Sequence, residues 1–134
     1  MTRGKAKAPS QRQLRVGEEV RHALAMIMER TEFRDPALLG APVTVTEVRV
    51  SPDLRHAAVF VAPLGGGDPI PVIQGLKRVR PFLRHQLAGE VRLQFIPDLS
   101  FEPDVSFDRA QHIEQILHSP EVARDLDEPR DDEA

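Results

Sequence analysis

The chain has no cysteine, no tryptophan and no tyrosine among its 134 residues. Without cysteine there is no disulfide framework, no thiolate nucleophile and no cysteine zinc site. With six phenylalanines as its whole aromatic content, expected mostly in the core, a recognition sheet that stacks bases on exposed rings is disfavoured. Phe60 is the one candidate exception. No apolar run approaches the roughly 20 residues that a membrane span needs. The opening segment MTRGKAKAPSQRQ is basic and lacks the apolar stretch of a secretory signal. A cytoplasmic protein with no membrane contact is expected. The length suits one domain, and 40% hydrophobic with 29% charged residues is ordinary for a globular chain.

What the chain does have is charge divided along its length. Residues 1–96 carry 15 Lys and Arg against 9 Asp and Glu, whereas residues 97–134 carry 3 against 12. The net charge of −3 therefore hides a body of +6 and an end of −9. Such asymmetry points to nucleic-acid contact paired with an acidic tail, or to a solvated face with a solubilising tail. Residues 1–9 read as a basic disordered tail, 10–119 as the folded domain and 120–134 as an acidic disordered tail.

Ser10 can cap a helix from Gln11 to Arg34, in which Val16, Val20, Ala23, Leu24 and Ile27 form one apolar stripe. Asp35-Pro36 ends it, because the residue before proline avoids the helical region. Val43 to Val50 is a strand whose alternation slips at Thr46-Glu47, which predicts a bulge. The turn Ser51-Pro52-Asp53 joins it to a second strand, Arg55 to Ala62, as an antiparallel hairpin. After the loop Gly65-Gly66-Gly67 a helix begins near Ile70, and Val72, Leu76, Val79, Leu83 and Leu87 share one face. Pro81 must bend that helix or split it. Gly89 is placed to cap its end. A strand from Glu90 to Ile96 is expected to close the sheet, followed by a short helix over Ser106–Ser119. The order is α-β-β-α-(kink)-α-β, an α+β class.

Lys77, Arg80 and Arg84 fall at i, i+3 and i+7 on one helix face, with Arg78 to the side and Arg92 expected on the next strand. From Pro71 to Phe95 there are five basic residues and only Glu90 acidic, whereas a merely solvated face mixes signs. Phosphate contact, each cation releasing counterions, is the reading this imbalance favours. Arg12 and Arg15 extend it to the first helix, after Arg3, Lys5 and Lys7 in the tail.

Signals for catalysis are thin. The triple glycine lacks the Lys-Ser/Thr of a phosphate loop, and the five histidines show no metal-ligand spacing. Asp98, Glu102 and Asp104 are the remaining candidates for a divalent metal and phosphodiester cleavage. No enzyme, no cofactor, no resident metal and no small-molecule substrate are expected. A protein-interaction module acting through the acidic tail is the alternative of a different class.

Three ordered blocks resemble bacterial ribosome-binding factor A over roughly Arg12 to Leu117. They are Arg15-Val16-Gly17-Glu18-Glu19, the hairpin VTVTEVRVSPDLRHAAVFVAPLG, and FLRHQLAGEVRLQFIPDLSF with Arg84, Leu87, Arg92-Leu93, Pro97, Leu99 and Phe101 in the family's order. The resemblance implies a type II KH-like fold and a monomeric, non-enzymatic assembly factor. Its implied partner is the free small (30S) ribosomal subunit and its 16S rRNA. The implied role is late maturation of that rRNA, 5′-end processing included, with a link to growth in the cold. The family's Ala-x-Gly kink between the central helices reads Val79-Arg80-Pro81 here. Proline supplies the bend through its missing donor, and the expected RNA contact shifts from backbone towards Arg80 and its neighbours.

Overall fold

The computed structural model describes residues 8–105. Its elements are α1 (Gln11–Arg30), β1 (Val43–Val50), β2 (His56–Pro63), α2 (Ile70–Arg78), α3 (Arg80–Glu90) and β3 (Asp98–Pro103). The α+β class and the order expected from sequence are present. The helix expected over Ser106–Ser119, the acidic tail and most of the basic tail lie outside the described residues.

A reciprocal pair of hydrogen bonds starts α1. The Gln13 N–H donates to Ser10 Oγ at 3.0 Å and the Ser10 N–H to Gln13 Oε1 at 2.9 Å, which satisfies two of the orphan donors at the helix end. Gln13 Nε2 also donates to the Val50 carbonyl at 3.0 Å, tying the helix start to the end of β1. The apolar stripe Val16, Val20, Ala23, Leu24 and Ile27 is buried as its spacing predicts. The helix stops at Arg30, short of the expected Arg34. Thr31 turns extended (φ −100°, ψ 131°) and donates its hydroxyl to the Ile27 carbonyl at 2.6 Å. The residues after it leave the helix, and Phe33 packs against the core edge-on to Phe82, 6.2 Å between centroids.

The sheet has the order β1-β2-β3, with β1 and β2 antiparallel and β3 parallel to β2. The register between β1 and β2 slips between Val45 and Glu47, where the bulge was expected. One extra residue there lets Val45, Val48 and Val50 all face the core, beside Ala57, Val59 and Val61 of β2 and Leu99 and Phe101 of β3. Parallel pairing requires a crossover, and α2 with α3 supplies it.

The closing strand is not where its alternation was expected. Glu90 ends α3, Gly89 lies within that helix without a left-handed φ, and residues 91–97 are irregular. Val91-Arg92-Leu93-Gln94-Phe95 and Leu99-Ser100-Phe101 both alternate, so the pattern alone does not choose between them. Val91 caps α3 by its N–H to Leu87 O at 3.0 Å, and the chain needs the next residues to return across the molecule. Leu99 and Phe101 are then the pair that lands on the buried face. The phenylalanines are also less internal than expected. Of the five described, only Phe101 is buried, while Phe82 and Phe95 are exposed.

Gly17 sits where α1 crosses β1. A Cβ built there would lie 2.6 Å from the Val48 carbonyl oxygen, which is backbone and cannot swing aside. Gly17→Ala gains about 1 kcal/mol of helix propensity but meets an overpacking penalty of roughly 1–3 kcal/mol, so a net loss of stability is expected in urea unfolding. Gly89→Ala, with nothing within 4 Å of its added methyl, is expected to stabilise by about 0.5–1 kcal/mol in the same assay.

Candidate nucleic-acid interface

The bend between the two central helices centres on Val79 (φ −96°, ψ 10°), which ends α2 and precedes α3. Its N–H donates to Gly75 O at 3.1 Å, and the Leu83 N–H donates to its carbonyl at 3.0 Å. Pro81 falls in the first turn of α3, where a missing N–H leaves no bond unmade. Proline therefore opens a second helix and does not deform a single one. Val72, Leu76, Leu83 and Leu87 are buried on both sides of the break, with Val79 partly buried between them, as the shared stripe predicted.

The basic cluster is less free than its sequence suggests. Arg80 donates to the Leu99 carbonyl at 3.0 Å. Arg84 donates to the carbonyls of Pro97 at 3.1 Å and Ile96 at 2.7 Å, and stands 3.8 Å from the Asp98 carboxylate. Arg78 grips Asp35 with two bonds, 2.7 and 2.9 Å. The Asp35 side chain is only 10% exposed, and it also accepts the Ala37 N–H at 2.9 Å. The hydrogen bond from Arg78 holds the Asp35 carboxyl below its ordinary pKa and raises that of the guanidinium. Gly75 makes room for this turn, since a Cβ there would sit 3.0–3.1 Å from Leu38, Ala37 and Asp35.

Lys77, Arg92, Arg12 and Arg15 are exposed and form no ion pair or side-chain hydrogen bond among the described residues. Arg92 lies on the irregular segment, so the strand phase expected for it does not arise. Pairings Val50↔Ala57 and His56↔Asp98, with the Gln13–Val50 bond, bring the start of α1, the turn 51–55 and the start of β3 to one end of the sheet. Arg12 and Arg84 come to that end. So does Arg55, which sequence reasoning passed over: its guanidinium lies 4.1 Å above the centre of the Phe95 ring. No local signal links two residues so far apart in the chain. Lys77 and Arg78 belong to α2, and the Asp35 bond places Arg78 beside the 35–40 turn. Among the described residues no three His, Cys, Asp or Glu side chains come close enough to hold a metal ion, and no helix is long and apolar enough to cross a membrane.

Residues 12–117 match the family model described as ribosome-binding factor A. The chain belongs to the ribosome-binding factor A family. A ribosome-binding factor A of Paramagnetospirillum magneticum is 63% identical over 99% of this chain and 94% of its own length. One of Rhodospirillum rubrum is 57% identical over 96% and 79%. The crystal structure of ribosome-binding factor A from Thermus thermophilus superposes with a TM-score of 0.58, at 26% identity, over 73% of this chain and 97% of that one. A homology model of the Thermus thermophilus ribosome-binding factor A, fitted into a cryo-EM map of its complex with the 30S subunit, gives 0.53, at 25% identity, over 67% and 92%. The family is one of binding factors.

Two outcomes follow from the arginine contacts. Arg84→Ala strips two backbone carbonyls of a charged donor and is expected to lower stability by about 1.5–3 kcal/mol, with Arg84→Lys recovering part of it in the same denaturation curve. The Asp35 carboxyl has a lower pKa folded than unfolded, so its pairing contributes fully above the ordinary carboxylate pKa of about 3.9. That contribution fades as pH falls through the depressed value. Thermal unfolding of Asp35→Asn between neutral pH and strong acid should show a shallower acid-side decline than the parent.

Proposed function

We propose that this protein is a ribosome assembly factor that binds the free small (30S) subunit and its 16S rRNA through a type II KH-like domain. In this role it acts late in rRNA maturation, 5′-end processing included, as a monomer without enzymatic activity, cofactor or small-molecule substrate, in the cytoplasm and during growth in the cold. The family match across residues 12–117 carries the reading. It is supported by the ribosome-binding factor A that has been fitted into a 30S complex, and by the positive balance of the body.

The contacts divide by what the side chains already do. Lys77, Arg92, Arg12 and Arg15 meet phosphates directly, since no internal partner among the described residues competes for them. Arg78, Arg80 and Arg84 offer only the N–H groups left over from Asp35, Leu99, Ile96 and Pro97. Their first task is to tie the central helices to Asp35 and to the start of β3. An Arg presents five donors, so a structural bond and a phosphate bond are compatible.

Sedimentation tests this. The protein should travel with free small subunits and not with translating ribosomes, and its binding should fall steeply with salt. Replacing Lys77, Arg92, Arg12 and Arg15 together by Ala should abolish co-sedimentation at physiological salt while leaving urea unfolding unchanged. Undiminished binding by that variant would overturn the proposed surface. Removal of residues 120–134 should leave binding intact; its loss would favour a protein-interaction module acting through the acidic tail.

A further inference from the structure

Phe95 is an apolar ring held in an exposed position by rigid neighbours. It is 48% exposed, and residues 96 and 97 after it are fixed by the Arg84 guanidinium. Pro97 is buried and the Asp98 N–H donates to the Arg55 carbonyl at 2.8 Å. A lone exposed phenylalanine needs no explanation by itself. This one is already paired with a planar cation, the Arg55 guanidinium 4.1 Å above its centre.

The backbone beside Arg55 is strained. Leu54 has a φ of +63°, the only described non-glycine residue in the left-handed region, a conformation that disfavours a side chain. It is imposed by a tight turn: the Ser51 hydroxyl donates to Asp53 Oδ1 at 2.6 Å, the Arg55 N–H to the same oxygen at 3.0 Å, and the Leu54 N–H to the Ser51 carbonyl at 2.8 Å. Strain of this kind persists where surrounding bonds over-determine it, and it collects at ligand sites. The acids here are matched. Asp53 is occupied within the turn, and Asp98 lies 4.0 Å from His56 and 3.8 Å from Arg84. The exposed cations Arg12 and Arg55 share this end of the sheet, so an anionic strand has charge to follow towards the ring.

We infer that the Phe95–Arg55 pair is a stacking seat for one unpaired base of single-stranded RNA. An aromatic face and a guanidinium plane both stack on bases irrespective of their identity, and neighbouring cations hold the backbone. This inference rests on the RNA-binding reading above and adds to it a base contact on a loop, at residues outside the central-helix cluster.

The chain's lack of Trp and Tyr makes the test direct. In Phe95→Trp the indole is the sole fluorophore of its kind. Oligo(A) of about ten nucleotides should quench it, and an abasic ribose-phosphate oligomer of equal length should not. Phe95→Ala and Arg55→Ala should each weaken oligo(A) binding, followed by anisotropy of labelled RNA, by about five- to a hundred-fold. Quenching by the abasic strand, or unchanged affinity in both alanine variants, overturns the seat. Small-subunit binding that persists without any affinity for oligo(A) also overturns it and leaves the assembly-factor reading standing. If Phe95→Ala then still weakens subunit binding, the ring serves a protein contact. Failure of the unmodified protein to bind either small subunits or oligo(A) removes both readings.

Discussion

The grip of two arginines on the backbone entering β3 is the contact on which the rest of the fold depends. A parallel third strand obliges the chain to leave α3 and cross back through an irregular stretch before pairing can begin. Carbonyls in such a stretch have no ladder partners, and leaving them unpaired in a part-buried site costs as much as a lost bond. Arg84 answers two of them, at Ile96 and Pro97, and Arg80 adds a bond to the Leu99 carbonyl at the start of β3 itself. They can do so because the helix breaks at Val79, which gives α3 its own start and its own direction. The break, the clasp and the strand are one device.

Opposite this device, α1 is held by a different means. Its contact with β1 is so close that the Val48 carbonyl occupies the space a side chain at Gly17 would need. The two ends of the helix are then tied by bonds to distant backbone and side chains. Gln13 reaches Val50 at one end, and Arg30 reaches Glu90 at 2.8 Å and Gln86 at 3.0 Å at the other. The helix bridges the sheet to α3 and leaves its charged face outward.

What could be read from sequence was whatever local rules decide. The cap at Ser10, the bulge after Val45, the hairpin, the start of α2 at Ile70 and the break near Pro81 all follow from residues within a few positions of one another. The third strand did not follow. Two alternating segments competed, and the choice turned on which one the crossover could deliver to the buried face. The arginines misled in a similar way. As a run they look like a phosphate-binding face, and only the fold reveals that the carbonyls of Ile96, Pro97 and Leu99 and the carboxylate of Asp35 engage three of them first. The cations without such partners, and the Arg55–Phe95 contact, became visible for the same reason: each depends on what is, or is not, brought near from elsewhere in the chain.

The mixed sheet also orders the steps by which it can assemble. Closing the hairpin joins strands separated by the five residues 51–55, whereas β3 must find β2 across residues 64–97. Chain entropy makes the second closure dearer by roughly 2 kcal/mol, before any compensation from α2 and α3. The hairpin with α1 laid on it is the cheaper nucleus, and the parallel strand joins once the crossover helices have packed. A nascent chain thus reaches most of its core before the arginine clasp, and the surface it organises, comes into being.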